Sequence, residues 1–132
     1  MDPTDLLGTW RLERVIEDRR LRDTSQVDGT LVLAPAGPGE VSWEERARWH
    51  RPDGDVEVRR GLRVVRADDG WWVRFDDGRD FHPWSPGEEV VHDCDPDTYR
   101  GRVSGTTYEW TIVWVVTGPA KDYTMTTVLS RA

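Results

Sequence analysis

Three charged residues interrupt stretches of this 132-residue chain in which apolar residues otherwise alternate with polar ones: Arg14, Glu45 and Arg60. Alternate side chains of a strand share one face, so each of the three lies on a predicted apolar face. Desolvated charges persist when they are paired, which predicts a buried ion pair. The same groups beside a cavity could instead anchor the carboxylate or amine of a ligand. A one-residue slip in the assignment would turn them outward, and all three interpretations stay open.

A second group of residues could bind a metal ion or move protons. His92 and Cys94 share one face of a predicted strand, and His82 lies on the neighbouring predicted strand. Zinc and copper use such ligands, but the usual spacing motifs are absent, so we predict no metal site. His92 with Tyr99 could act as a general acid and base, and a purely structural role is the alternative. The sequence has no glycine-flanked serine nucleophile and no phosphate-binding loop.

Aromatic residues in the second half of the chain complete the candidate site. The chain contains eight tryptophans but two phenylalanines, and tryptophan suits the lining of a partly polar cavity because its N–H needs a partner. A wall of such rings is what a planar ligand would stack on, with plain core packing as the alternative. The predicted ligand-binding residues are Arg14, Glu45, Arg60, His82, His92, Tyr99, Tyr108, Trp110, Trp114 and Tyr123.

Strands must position these side chains. Alternation over 107–117 and 122–131, separated by Gly118-Pro119-Ala120-Lys121, predicts a long antiparallel hairpin. Upstream, Asp-Gly turns separate shorter alternating stretches, which gives about ten strands and no crossover helix. The N-terminal residues 2–8 predict one helical turn, with a capping aspartate, an early proline and a glycine stop. The charged residues 18–24 are predicted to form a loop.

Regular short strands predict an all-β fold, either a sandwich or a closed barrel. The polar side chains on the apolar faces could be hydrated in a lumen but not in a dry sandwich core. We therefore expect a single domain over residues 1–132, an antiparallel up-and-down β-barrel of about 8–10 strands with a short N-terminal helical turn.

Composition limits the partners of the protein. The formal net charge of −7 argues against nucleic acid and against an anionic membrane surface, since both would repel the chain. No apolar run approaches the roughly 18 residues of a membrane span, and the N-terminus has no export signal. We expect a cytoplasmic monomer or homodimer. Cys94 is the only cysteine, so no intrachain disulfide forms.

Two resemblances add to this interpretation. Gly8-Thr9-Trp10 after the helical turn, together with Arg131 in the last strand, resembles the signature of the calycins, the superfamily of lipocalins and fatty-acid-binding proteins. It implies that Gly8 and Trp10 open the first strand at the closed end of a barrel, with Arg131 across the indole. No arginine-x-tyrosine pair occurs in the last strand, so the carboxylate site of fatty-acid-binding proteins does not carry over.

The second resemblance, to a small bacterial family of unknown function, spans most of the chain. It is carried by Gly8-Thr9-Trp10, Asp76-Asp77-Gly78-Arg79, Phe81-His82, His92-Asp93-Cys94, Asp97-Thr98-Tyr99, and Gly118-Pro119 with Lys121-Asp122-Tyr123. No activity is known for this family, so the resemblance implies none for this chain.

The sequence thus predicts a cup that binds a small, largely apolar or aromatic molecule, oriented by a few polar anchors and without a cofactor. The alternative is a small cofactor-free enzyme on the same barrel, a cyclase, isomerase or dehydratase of a specialised metabolite, with His92 and Tyr99 as proton carriers. Less expected are haem binding through a histidine, as in nitrobindin-type barrels, and a module for protein interaction.

Overall fold

The computed structural model describes residues 1–132 and consists almost entirely of strands. A short 3-10 helix is followed by ten strands, which confirms the predicted all-β fold class and the expected helical turn. The helix spans Pro3–Leu6, and the strands are β1 (Gly8–Asp18), β2 (Asp23–Pro35), β3 (Glu40–His50), β4 (Val56–Ala67), β5 (Gly70–Phe75), β6 (Asp80–Pro83), β7 (Glu89–Cys94), β8 (Asp97–Gly105), β9 (Glu109–Gly118) and β10 (Lys121–Arg131).

One antiparallel sheet curls into a nearly closed up-and-down barrel. Its strand order is β6-β5-β4-β3-β2-β1-β10-β9-β8-β7, so the first and last strands pair in the middle of the sheet. Trp10 lies opposite Arg131 at one end of that pair, and Asp18 lies opposite Tyr123 at the other. The two edge strands, β6 and β7, contact each other without a hydrogen-bonded ladder and leave a seam. The structure contains no helix of the length and apolar character needed to cross a membrane.

Two predicted loops are shorter in the structure. The prediction of a loop over residues 18–24 is wrong, because Asp18 pairs with Asp23 and only four residues form the turn. Gly118 likewise pairs with Lys121, which leaves a two-residue turn. In both hairpins the backbone hydrogen bonds between the strands extend to the solvent-exposed rim. Backbone pairing needs no apolar side chains, so charged residues at the rim do not end a strand.

Four tryptophans pack the closed end of the barrel. Trp110 is fully buried and meets Trp10, Trp43 and Trp84 edge to face, with ring centroids 5.8, 5.8 and 5.9 Å apart. Each such pair contributes about 0.5–1.5 kcal/mol beyond its buried area. The indole N–H of Trp10 donates to the carbonyl of Leu6 at 2.8 Å, which ties the short helix to this cluster. The closed end is therefore a dry, solid base.

Arg131 covers that base from outside. Its guanidinium carbon lies 3.9 Å from the ring centroid of Trp10, and its Nη1 donates to the carbonyl of Leu7 at 2.8 Å. Gly8 opens β1 with φ 125°, a left-handed conformation that favours glycine, and a Cβ there would lie 3.0 Å from the arginine. This is the arrangement that the glycine-x-tryptophan motif implies.

In the wall formed by β8 and β9, a tryptophan ring lies directly against a glycine. The ring of Trp114 on β9 lies flat against Gly101 on β8, where a Cβ would sit 2.5 Å from the ring carbon Cζ3. Only glycine leaves room there. The indole is thereby fixed inside the barrel, where it organises the aromatic side chains that surround it.

Candidate functional site

A charged triad lies inside the barrel, on three different strands. The Glu45 carboxylate of β3 accepts hydrogen bonds from Arg14 Nη2, Arg60 Nη2 and Trp43 Nε1, each at 2.9 Å. Arg14 Nε also donates to Thr127 Oγ1 at 2.8 Å. The side chain of Glu45 is 5% exposed, so the structure contains the buried ion pair that alternation predicts. We call Arg14, Glu45 and Arg60 the triad.

The triad carries a net positive charge at neutral pH. Burial alone would raise the pKa of Glu45, but Arg60 and Arg14, with the hydrogen bond from Trp43, outweigh burial and lower this pKa to about 2. Glu45 is therefore a carboxylate, and two guanidinium groups face one negative charge. Arg14 Nη1 and Arg60 Nη1 have no protein acceptor, and Arg60 Nε is buried without one.

An inner cavity of about 230 Å³ lies against the triad. Besides the triad, its wall is formed by five apolar or aromatic side chains and one further arginine: Ile16, Val27, Trp49, Val58, Met125 and Arg59. A mouth cavity of about 320 Å³ lies nearer the rim and is lined by Ile16, Asp18, Leu21, Asp23, Ser25, Trp49, Arg51, Tyr123 and Met125. The shared wall of Ile16, Trp49 and Met125 makes the two cavities adjoin. Together they form an apolar recess that runs from the rim to the triad.

A larger concavity, about 400 Å³, lies outside the barrel across β2, β3 and β4. Its walls are mostly charged, with Arg46, Arg48 and Glu57 among them. Ligand sites for small molecules are predominantly apolar with a few placed polar groups, a description that fits the lumen and not this outer groove. We therefore place the candidate site in the lumen.

Several predicted site residues do not line either lumen cavity. Phe81 and Trp114 stack with centroids 5.0 Å apart, and His92 meets Phe81 edge on at 5.2 Å. Tyr99 lies next to His92, with centroids 6.0 Å apart. These rings form an aromatic cluster made of Phe75, Phe81, His82, His92, Tyr99 and Trp114. Of the predicted ligand-binding rings, Tyr99 and Trp114 are therefore packed against other aromatic side chains.

His82 is buried within this cluster and neutral. Its Nδ1 lies 2.8 Å from the carbonyl oxygen of Pro83, so this nitrogen carries the proton and donates. Burial is the main cause that lowers the pKa of His82 to about 4, and Arg60 and His92 act in the same direction. Its side chain thus adds no charge to the lumen at neutral pH.

His92 and Tyr99, the predicted proton carriers, are not hydrogen-bonded to each other. The hydroxyl of Tyr99 accepts from Lys121 Nζ at 3.2 Å, and that lysine also pairs with Asp97 at 2.9 Å. Hydrogen bonds from Lys121 to Asp97 and Tyr99 raise the pKa of the lysine. The hydroxyl is thus engaged at the rim, and the catalytic roles of His92 and Tyr99 stay predictions.

The three residues that most resembled metal ligands, His82, His92 and Cys94, do not converge on one point. Cys94 is exposed at the end of β7, whereas His82 is buried, and no group of three or more histidine, cysteine, aspartate or glutamate side chains is placed to hold a metal ion. The third histidine, His50, lies on the outer surface, 2.9 Å from Asp28 and 3.1 Å from Asp55. Neither lumen cavity is lined by a histidine, and haem binding stays an untested prediction.

The remaining aromatic predictions differ in outcome. The inner-face position predicted for Tyr108 is wrong: the residue is 80% exposed because it lies in the turn before β9, where strand alternation does not apply. Trp110 is buried in the closed end and contacts no cavity. Tyr123 does border the mouth cavity, and burial, followed by the neighbouring Tyr99, raises the pKa of Tyr123 to about 12.

Sequence reasoning missed most of the apolar lining. Ile16, Trp49 and Met125 are in phase with Arg14, Glu45 and Tyr123, so their inward direction was visible in the alternation. Ile16, Trp49 and Met125 differ from the core residues in lying near the rim. A barrel whose one end is filled by tryptophans has its cavities at the other end. The place of these three residues near the rim was visible in the sequence, but it did not separate them from rim residues on the packed side such as His92.

The ten-stranded barrel with an apolar recess places the protein in the class of small up-and-down β-barrels. Within this class, the chain belongs to a family of unknown function, DUF6314, whose model matches residues 6–131. The resemblance to a family of unknown function is thereby confirmed. No curated protein matches the sequence. Membership of the calycins stays a prediction, supported by the barrel and by the contact of Arg131 with Trp10.

Solved structures share the fold at low sequence identity. The S-type phycobiliprotein lyase CPES from Guillardia theta is 9% identical with a TM-score of 0.71, over 98% of this chain and 90% of that chain. A redesigned β-barrel bound to DFHBI is 16% identical with a TM-score of 0.53, over 96% of this chain and 99% of that one. A de novo designed fluorescence-activating barrel is 14% identical with a TM-score of 0.51, over 98% and 96%. These likenesses show the fold alone.

Proposed function

We propose that the protein binds a small, largely apolar or aromatic molecule in the lumen of the barrel. The observation that carries the proposal is the apolar recess that ends on a fixed charged triad. Two similar barrels also support it, since one is described as bound to DFHBI and another as fluorescence-activating. The first of them is a barrel of similar size with a small molecule bound.

The walls and the base of the recess have different tasks. Ile16, Trp49 and Met125 provide apolar area, and burying such area contributes about 25 cal/mol per Å². The triad is held by four side-chain hydrogen bonds before any ligand arrives, so little ordering is needed on binding. The apolar walls therefore contribute affinity, and the triad contributes orientation.

Blocking the recess tests the proposal. The neutral three-ring probe N-phenyl-1-naphthylamine is expected to bind with saturable fluorescence and 1:1 stoichiometry. Ile16→Trp fills the point where the two cavities adjoin, and we expect at least a tenfold loss of affinity. Val15→Trp is the matched control, because Val15 precedes Ile16 on β1 but faces outward. Thermal melting of both variants establishes that they fold. Equal binding by the wild type and both folded variants would place the probe elsewhere and defeat the proposal.

A small cofactor-free enzyme on the same barrel stays the alternative prediction. The observation in its favour is the neutral His82, packed beside His92 within the aromatic cluster and holding its proton on Nδ1. Native mass spectrometry of protein from its own host would supply the bound molecule as a candidate substrate. Turnover that disappears in a folded His92→Ala variant would support catalysis, whereas turnover that is unchanged in this variant would contradict it.

A further inference from the structure

We infer that the lumen ligand is an apolar or aromatic acid, whose carboxylate docks on the free guanidinium edges of Arg60 and Arg14. The inference rests on the proposed function and names the chemical class of its ligand. Its first observation concerns Arg60, which uses one nitrogen, Nη2, to donate a hydrogen bond to Glu45 at 2.9 Å. Its Nη1 and Nε have no acceptor in the protein, and its side chain is 37% exposed beside the inner cavity.

The charges at the base of the recess are unbalanced in one direction. Two arginines face a single carboxylate there, which leaves one positive charge. A charge that leaves water is stable when it is paired and hydrogen-bonded. A ligand carboxylate would supply the missing partner, and the planar fork of arginine matches its two oxygens.

The same geometry disfavours an amine, the other ligand group compatible with the sequence. A cationic ligand would have to bind Glu45, whose carboxylate already accepts three hydrogen bonds. Oε1 accepts from Arg14, and Oε2 accepts from both Arg60 and Trp43. An ammonium group would also meet two guanidinium groups at close range. The triad therefore selects an anion and rejects a cation.

The rim sets the direction in which such an acid would lie. Asp18 and Asp23 outnumber Arg51 at the mouth, which therefore favours a carboxylate less than the triad does, while the walls at Ile16 and Trp49 accept an apolar body. The acid group consequently points to the base of the recess, and the ring system lies between the triad and the rim.

Three probes with the same ring system test the inference by titration calorimetry: naphthalene-2-carboxylate, naphthalene-2-carboxamide and 2-naphthylmethylammonium. We expect the carboxylate to bind at least tenfold more tightly than the carboxamide, and the ammonium to bind most weakly. Equal affinity of carboxylate and carboxamide, both lost in Ile16→Trp, would overturn the inference and leave the proposed function intact. Failure of all three probes to bind would count against the proposed function itself.

Two substitutions in the triad give effects of opposite sign. Arg60→Gln is expected to lower carboxylate affinity at least tenfold and carboxamide affinity much less, while Glu45→Gln removes the competing negative charge and raises carboxylate affinity. Arg63→Gln is the control, since Arg63 lies on the same strand but faces outward and pairs with Glu40. A purely structural triad would lower the affinity for all probes in both variants. If the Arg60 variant does not fold, the wild-type ratio of carboxylate to carboxamide affinity decides the question.

Discussion

Replacing Glu45 by glutamine is expected to destabilise the protein at neutral pH. Arg14 is 12% exposed, and its guanidinium loses its negative partner in this variant. Breaking a buried ion pair by removing one partner costs about 3–5 kcal/mol. Glutamine can still accept one hydrogen bond through its side-chain oxygen, so we expect a loss near the lower end, about 3 kcal/mol.

The same substitution is expected to flatten the acid dependence of stability. The pKa of Glu45 falls from an ordinary value of 4.5 to about 2 in the folded protein. A lowered pKa means that the folded state binds the proton less readily than the unfolded chain. The contribution of Glu45 is therefore fully present above about pH 4.5 and is lost as the pH falls toward 2. The two pKa values correspond to about 3 kcal/mol, of which about 2 kcal/mol is lost by pH 3.

Urea unfolding of the wild type and of Glu45→Gln between pH 7 and pH 3 measures both effects. Glu44→Gln is the matched control, since Glu44 is the exposed neighbour on β3 and its loss removes the same charge from the chain. We expect the control to follow the wild type within about 0.5 kcal/mol. If the wild-type and Glu45→Gln stabilities fall in parallel from pH 5 to pH 3, the carboxylate is not held by the triad and the reasoning is refuted.

Three further outcomes are expected. Arg131→Ala is expected to lower the free energy of unfolding in urea by about 1–2 kcal/mol, because the cation over Trp10 and its carbonyl contacts are lost; an unchanged value would contradict this closure. Gly101→Ala is expected to cost about 1–3 kcal/mol and to alter the near-ultraviolet circular dichroism, since its Cβ would lie 2.5 Å from Trp114; an unaltered spectrum would argue against this contact. The imidazole of His82 is expected to stay neutral at pH 7 in NMR titrations, with stability lost as the pH falls from its ordinary pKa of 6.5 toward 4; a midpoint above 6 would show that it is not buried as described.

Alternation along the chain was sufficient to predict the strands and to place the three charges on inner faces, and it gave their pairing as one of three interpretations. Arg14, Glu45 and Arg60 each interrupt an apolar face, and all three point into the barrel and meet there. The strand count also followed from the turn residues, because Asp-Gly pairs mark hairpins independently of tertiary context. Local rules are reliable for such features, since a strand fixes the direction of every second side chain.

The division of the lumen into a packed side and an open side could not be predicted in this way. His92 and Trp114 face inward just as Ile16 and Met125 do, and the same alternation describes both pairs. The two pairs differ because Phe81, from a strand far away in the sequence, stacks on Trp114. Its ring fills the lumen beside His92 and Trp114, and no such ring fills the lumen beside Ile16 and Met125. Volume inside a barrel depends on such contacts across the lumen. Tyr108 failed for a simpler reason, since it lies just before β9 begins.

The position of the seam has a consequence for how the chain reaches its fold. Arg14 on β1 and Thr127 on β10 are hydrogen-bonded across 113 positions of sequence, whereas the unpaired strands β6 and β7 are consecutive. Joining the two termini and opening the chain between Trp84 and Glu89 would make every neighbouring pair of strands a simple hairpin. Contacts between distant residues slow folding because a large loop must close first. The relinked chain is thus expected to refold faster in stopped-flow experiments. In the natural order of strands, the pairing of β1 with β10 at the centre of the sheet is the slowest contact to form.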